Sequence, residues 1–383
     1  MTQDTGSAAW DEEVIYTDGD LFFGDLIASI TSAKKTIHLE EYIFDQDDLG
    51  KRVLTALHAA AHRGVRIKLL LDGAGCSQWN FNDAEKERES NLELRFFHPL
   101  YWQRKNSRLW TYLSVRKIAH GFSILNHRNH RKTCLIDGEI AYMGSMNVSD
   151  RHLKSVSKEH VWRDTGIKIR GEKIHALNET FNEAWKFNEN YIFRYLRWIN
   201  KFDGMPLLKL NSNIRQRHSN YRNLLHRLKN SRNRIWITNP YFIPTNRLRK
   251  TLQMAARSGI DVATLFPSKS DFFAGKLAME DLYSPLLKAG VKIYEYQPSM
   301  IHAKILITDE HVMIGSSNWN SRSLFHDYEV DVEVTHPENI KLIDAQFLED
   351  LTHSKKIELS EWRKRSWVRQ VLEKLFFWFR WVL

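Results

Sequence analysis

The sequence predicts an α/β fold made of two similar halves. Each half is a mixed or parallel sheet with flanking helices, and a pseudo-twofold relates the halves so that the active site lies at their interface. Three observations predict it. Strand-like and helix-like segments alternate along the chain. The alternation runs through the same order twice. Each copy then arrives at the same short polar motif.

The elements follow in order. Residues 37–44 are rich in β-branched and aromatic side chains and read as a strand. Residues 50–63 carry Val53, Leu54, Leu57, Ala60 and Ala61 at helical spacing, with Gly64 as the stop. Residues 65–72 then resume an apolar strand. The second half repeats this with a strand over 234–242, a helix over 248–257, Gly259 as the stop and a strand over 260–266. Further on, 94–99 is answered by 291–298. The polar stretch 200–220 reads as the join, dividing the chain into halves 1–205 and 206–350 with a tail over 351–383. One insertion breaks the symmetry: residues 100–129 precede the first motif, and the second half has almost nothing in that place. It is aromatic and basic (Tyr101, Trp102, Arg104, Lys105, Arg108, Trp110), suited to a lipid contact or to a lid near His130.

At 383 residues the chain is long enough for two ordinary cores. A formal net charge of +10 predicts an anionic partner, nucleic acid or an acidic membrane surface, without choosing between them. The two cysteines, Cys76 and Cys134, show no ligand spacing, so neither a disulfide framework nor a metal finger is expected, and a reducing compartment is the default. The first residues are polar and acidic, which does not read as a signal peptide. No run approaches the roughly 20 apolar residues of a spanning helix.

The chemistry lies in the motifs. His130, Lys132 and Asp137 stand in an H-x-K-x4-D pattern whose Asp137-Gly138 signals a hairpin, with 139–143 as the returning strand. Residues two apart on a strand share a face, so His130 and Lys132 point the same way. His302, Lys304 and Asp309 repeat the pattern, and 311–314 returns. Both returning strands run into Gly-Ser-x-Asn, as Gly144-Ser145-Met146-Asn147 and Gly315-Ser316-Ser317-Asn318. One such motif alone also admits a reading as a solvated hairpin edge. Two copies on strands apolar enough to be buried do not, because a buried lysine is costly unless it meets negative charge.

These residues resemble the phospholipase D superfamily, whose hallmark is a pair of H-x-K-x4-D motifs followed by Gly-Ser-x-Asn. Within it the chain is most similar to the bacterial cardiolipin synthases, of the short type lacking N-terminal membrane spans. The pointers are Glu40-Glu41-Tyr42-Ile43-Phe44, Trp162-Arg163-Asp164, and the run from Asn318 through Asn320, Arg322 and Leu324 to Glu329. Asn320 departs from the Asp common in the family. The resemblance implies that His130 is the nucleophile and that His302 is the general acid and base. Phosphodiester chemistry needs both, since one imidazole takes the phosphoryl group and the other manages the alkoxide proton. Lys132, Lys304, Asn147 and Asn318, with Ser145 and Ser316 as weaker candidates, are suited to hold the non-bridging oxygens. Asp164 and Glu329, at matching places downstream, read as carboxylates that orient the imidazoles. Asp137 and Asp309 belong to the catalytic motifs, with a structural hydrogen-bonding part at the strand-end turns. No metal or other cofactor is expected.

The carboxyl-terminal stretch bears on the substrate. Trp367, Val371, Leu375, Trp378 and Val382 recur at spacings of three and four among Arg363, Lys364, Arg365, Arg369, Lys374 and Arg380. Such a basic, aromatic helix suits the interfacial layer of an anionic membrane, or alternatively docks on the protein's own core. The expectation is phosphatidyl transfer from phosphatidylglycerol to the hydroxyl of a second phospholipid through a phosphohistidine, with glycerol released. The enzyme would act as a peripheral protein on the cytoplasmic side of the inner membrane. Its partners are anionic phospholipid and the membrane surface; nucleic acid is not expected, and no protein partner is inferable. The alternative is a phospholipase D-type hydrolase or a nuclease, since basic aromatic grooves also hold single strands.

Overall fold

The computed structural model describes residues 9–105, 127–186 and 207–379. Two mixed sheets form its frame. The first contains β1 (Glu12–Tyr16), β2 (Thr36–Glu41), β3 (Arg66–Asp72), β4 (Leu92–Phe97), β5 (Thr133–Ile136), β6 (Ile140–Gly144) and β7 (Gly166–Arg170). Its order is β1-β7-β6-β5-β2-β3-β4, with β2, β3 and β4 parallel and the rest antiparallel. The second contains β8 (Leu208–Leu210), β9 (Arg234–Thr238), β10 (Asp261–Pro267), β11 (Lys292–Tyr296), β12 (Ile305–Thr308), β13 (His311–Gly315), β14 (Val330–Val334) and β15 (Ser354–Lys356). Read from its far edge, the order β8-β14-β13-β12-β9-β10-β11 repeats the first sheet strand for strand, and β15 is added beyond β11. The α/β class with duplicated halves is therefore what the chain adopts.

The physical reasons are local. The helix Asp48–His62 starts at the Asp47 side chain, which accepts from Gly50 N, and buries its apolar stripe beneath β2 and β3. The helix Asn246–Arg257 is capped the same way by Thr245 and does the equivalent in the second half. Each connects parallel strands, as a crossover must. A third core lies between the sheets, where Leu135, Ala141, Met143 and Ile167 of the first meet Ile301, Ile305, Ile314 and Val332 of the second. Burying both inner faces against each other is what locks the halves together.

Two details depart from the sequence reading. The stretch 200–220 is not simply a join. Residues 200–206 lie outside the described residues, but Leu208–Leu210 forms the edge strand β8 and the helix Ile214–Asn230 follows, capped by Asn213. Apolar Leu208 and Leu210 alternate with Lys209, a short strand signal hidden in a polar context. The second sheet also runs past residue 350, since β15 pairs with β11. Among the described residues no helix is long and apolar enough to cross a membrane. Most of the aromatic, basic insertion, residues 106–126 with Arg108 and Trp110, lies outside the described residues, as does Val382 of the tail.

Candidate active site

The two motifs arrive at one place. His130 and Lys132 sit on the extended run entering β5, and His302 and Lys304 on the run entering β12. Both runs are held by the opposite half. His130 N donates to Tyr328 O at 3.0 Å, and Tyr328 N donates to Arg128 O at 2.9 Å. His302 N donates to Arg163 O at 2.8 Å, and Arg163 N donates to Met300 O at 2.9 Å. The residue after each bridging partner is a carboxylate, Glu329 in one case and Asp164 in the other. Each carboxylate therefore meets the histidine of the half it does not belong to. His130 Nδ1 lies 3.0 Å from Glu329 Oε2, and His302 Nδ1 lies 2.8 Å from Asp164 Oδ2.

The surrounding hydrogen bonds fix the imidazoles. Ser316 O lies 3.1 Å from His130 Nδ1, and a carbonyl only accepts, so Nδ1 carries the hydrogen and Nε2 is left with its lone pair. At the other histidine Nδ1 faces Asp164 at 2.8 Å and Nε2 lies 3.0 Å from Lys304 Nζ. Each lysine also donates to its own histidine's carbonyl, at 2.7 Å in both copies.

Gly144 and Gly315 explain why the motifs continue into Gly-Ser. A Cβ at Gly144 would stand 2.4 Å from Thr165 O, and one at Gly315 would stand 2.4 Å from Val330 O. Only glycine lets the neighbouring strand come so close. That approach brings the next residue, serine, onto the orienting carboxylate. Here the sequence reading needs correction. Ser145 and Ser316, expected to reach phosphate oxygens, are buried and give their hydroxyls to the carboxylates. Ser145 Oγ donates to Asp164 Oδ1, and Ser316 Oγ donates to Glu329 Oε2 at 2.5 Å. A serine proton offered to an ionisable oxygen one layer below the imidazole is not available to a substrate above it.

Asp137 and Asp309, counted with the catalytic motifs but expected to hydrogen-bond at the strand-end turns, lie away from the histidines. Seven residues of extended chain, about 23 Å, separate each from its histidine. Asp137 accepts from the backbone N–H groups of Lys34, Lys35 and Thr36 at 2.7–2.9 Å. Asp309 does the same for Arg232, Asn233 and Arg234, with closest contacts of 2.8–3.1 Å. Both adopt positive φ, 54° and 48°, as the hairpin turn demands. They fasten the far ends of β5 and β12 to the starts of β2 and β9.

Asn147 and Asn318 do reach the site. They line a cavity of about 340 Å³ together with His130 and His302, and their Oδ1 atoms have no hydrogen-bond partner among the described residues. Buried amides with hydrogen-bonding capacity to spare are unusual away from a binding site. The same cavity is walled by Tyr42, Trp162, Tyr241, Phe272 and Arg322. The Tyr42 ring stands 4.7 Å from the His130 ring, and Trp162 stands 5.1 Å from His302.

Electrostatics set the site's character. Burial drives Lys132 down to about 8 and Lys304 to about 7, with Glu329, Glu41 and Asp164 only partly restoring their charge. Burial also pushes Glu329 up to about 7, against the pull of Lys132 and of the Ser316 and Ser323 hydroxyls. Asp164 behaves oppositely: burial raises it, but His302, His152 and Lys304 outweigh that and hold it well below the usual carboxylate range. His130 lies well below the ordinary imidazole value through burial and then the charges of Lys132 and Lys304. His302 is lowered by burial and Lys304, with Asp164 opposing. A negative charge bound beside Lys132 and Lys304 would restore their protons.

Some of these residues received no role from the sequence. Glu41 is buried, and burial holds its carboxyl well above the usual range with Lys132 its main counterweight. His152 accepts from Asn147 N at Nε2, 3.2 Å, and stands 3.3 Å from Asp164. A signal for His152 was present. Superposing Gly144 on Gly315 sets Arg151 over Arg322 and His152 over Ser323, whose hydroxyl donates to Glu329 at 2.6 Å. Both positions serve the local carboxylate, with different chemistry.

Comparison with known proteins agrees with this geometry. The family described as cardiolipin synthase, PLD-like domain, matches residues 26–185 and 224–351. The chain is 31% identical over 373 residues to cardiolipin synthase 1 of Bacillus anthracis, covering 94% of this chain and 70% of that protein. It is 32% identical over 372 residues to cardiolipin synthase 1 of Bacillus cereus, with the same coverages. It is 30% identical over 375 residues to a cardiolipin synthase of Clostridium perfringens, covering 94% and 75%. Among solved structures, the phosphatidylserine synthase of Haemophilus influenzae Rd KW20 superposes with a TM-score of 0.70 at 14% identity, covering 97% of this chain and 94% of that one. Polyphosphate kinase of Porphyromonas gingivalis reaches 0.58 at 14% identity over 89% of this chain and 50% of that one. At such identity these two speak for the fold.

Proposed function

Because the chain belongs to the cardiolipin synthase, PLD-like family, we propose that it transfers a phosphatidyl group from phosphatidylglycerol to the hydroxyl of a second phospholipid, releasing glycerol. One observation carries the reading. Two imidazoles, each tied through Nδ1 to a carboxylate of the opposite half, share a cavity with two unsatisfied asparagines in its wall.

The reaction follows from that arrangement. The phosphate's negative charge is met by Lys132 and Lys304 and by the Asn147 and Asn318 amides, which hold the non-bridging oxygens as charge shifts during transfer. His130 Nε2, with its lone pair free, attacks phosphorus, and the bond to the glycerol oxygen breaks. His302, entering as the imidazolium that Asp164 stabilises, gives that oxygen its Nε2 proton, so glycerol leaves as a neutral alcohol. The acceptor's hydroxyl then passes its proton to His302, attacks the phosphohistidine and regenerates His130. The division of roles is supported by the carboxylates. Asp164, held ionised, stabilises an imidazolium on His302, whereas Glu329 titrates near neutrality and suits a histidine that begins neutral. An acceptor concentrated in a membrane competes with water by effective concentration, which favours transfer over hydrolysis.

The test is incubation with phosphatidylglycerol in detergent micelles and, separately, with labelled single-stranded DNA. Cardiolipin with released glycerol, and acid-labile label trapped on His130, are the expected results. Strand cleavage with unchanged lipid overturns the lipid reading, and label on His302 reverses the histidine roles.

A further inference from the structure

The tail helix, Trp367–Trp378, has two faces with different fates. One is packed on the protein. Glu373 is fully buried and accepts from Arg365 at 2.7–3.1 Å, Arg369 forks onto Glu280 at 2.7–3.1 Å, and Phe376 and Phe377 join the second half's core. The other face is bare. Trp367 is 75% exposed, Val371 55%, Leu375 48% and Trp378 73%, at successive spacings of four, four and three, which is one stripe of a helix. Arg363, Lys364 and Lys374 are exposed around it, Lys364 paired with Glu361 at 2.6 Å.

The helix against which the tail packs most extensively is Phe273–Glu280. Glu280 at its end receives Arg369, while Phe272 and Gly275 at its start form part of the wall of the catalytic cavity. Phe273 is 69% exposed beside that wall. The bare stripe and the cavity lip are thus joined by eight residues of one helix.

We propose that this face, the tail stripe together with the Phe272–Phe273 lip, seats the protein on an anionic lipid bilayer. The inference rests on the lipid substrate proposed above and names the surface by which that substrate is approached. Charge decides the occupant. A second copy would bring the same exposed cations against these, within a chain whose net charge is +10, whereas an anionic bilayer complements them. The side chains agree, since tryptophan and phenylalanine partition to the headgroup boundary while lysine and arginine reach the phosphates. A cavity of about 340 Å³ accepts a headgroup and leaves the acyl chains to remain in the bilayer at the lip.

The experiment uses the full chain. Co-sedimentation is measured with vesicles of phosphatidylcholine alone and of phosphatidylcholine with phosphatidylglycerol at equal parts, for the parent, the double variant Trp367→Ala/Trp378→Ala, and Val371→Asp. Turnover is measured in parallel on phosphatidylglycerol in detergent micelles. The parent binds the anionic vesicles, less so as salt rises. Both variants bind them at least about tenfold more weakly, with melting temperature and micellar turnover retained. Unchanged vesicle binding by the variants, or no binding by the parent, overturns the proposal. So does a parent dimer that the variants convert to monomer while vesicle binding persists, which would make the face a contact between copies. Vesicle binding without any micellar turnover would instead fault the catalytic reading and leave this surface standing.

Discussion

Replacing Asp164 by Asn removes a charge and almost nothing else, and the structure fixes what should follow. Asp164 Oδ1 accepts from the Ser145 hydroxyl and from Thr165 N at 2.9 Å, so an amide oxygen is pinned there. The amide NH2 must then face His302 Nδ1, which the carboxylate approaches at 2.8 Å. That forces Nδ1 to accept and moves the proton to Nε2, the wrong tautomer for a base. The lost charge matters as well. With charge centres about 4 Å apart and an effective dielectric near 20, the ion pair formed with an imidazolium contributes about 4 kcal/mol. That corresponds to a loss of about 10³ in kcat if the pair is made only as the proton moves. Glu329→Gln is the internal comparison. Ser316 O still receives His130 Nδ1–H there, so the working tautomer survives and the loss is nearer tenfold, the scale of one hydrogen bond. The assay is glycerol release from phosphatidylglycerol in micelles, with thermal melting of both variants. An Asp164→Asn enzyme within tenfold of the parent, or a Glu329→Gln enzyme more damaged than it, refutes the assignment.

Two further outcomes follow from the same geometry. Lys304 at about 7 and Lys132 at about 8 lose their charge well below the ordinary 10.5, so the KM for micellar phosphatidylglycerol should climb between pH 7 and 9. In that window the unfolded chain holds more protons on these lysines than the folded one, so their contribution to stability rises with pH. Weaker binding without a matching loss from these groups in urea titrations is the expected pairing, and a flat KM would count against the lysines as phosphate holders. Asp137→Ala and Asp309→Ala each strip three backbone N–H groups of their acceptor and should cost about 2 kcal/mol in urea unfolding with kcat kept. A fall in kcat at unchanged stability would return them to the chemistry.

The candidate reacting groups were legible in the sequence and their wiring was not, for a physical reason. His130, Lys132, His302 and Lys304 were readable because strand parity is local and the pattern occurs twice. Asn147 and Asn318 followed from the same repeat. Which carboxylate serves which histidine was not readable, because the pairs Asp164–His302 and Glu329–His130 cross between halves, with 138 and 199 residues between the partners. The serines misled because a hydroxyl beside a site looks the same in sequence whether it faces the substrate or the carboxylate below. Of the stripe read in the tail, Trp367, Val371, Leu375 and Trp378 are bare and Val382 lies outside the described residues, while Arg369, read there as added positive charge, is spent on Glu280. Strand β8 was lost because three residues among polar neighbours carry too little periodicity to register.

The crossed carboxylates have a consequence for synthesis. As the chain emerges, His130 is made long before Glu329, and Asp164 long before His302. Neither half holds an oriented imidazole until the seam closes, so the duplicated fold works as a logical AND whose inputs are the two halves. Under the roles proposed above, the nucleophile stays unarmed until both halves have been made.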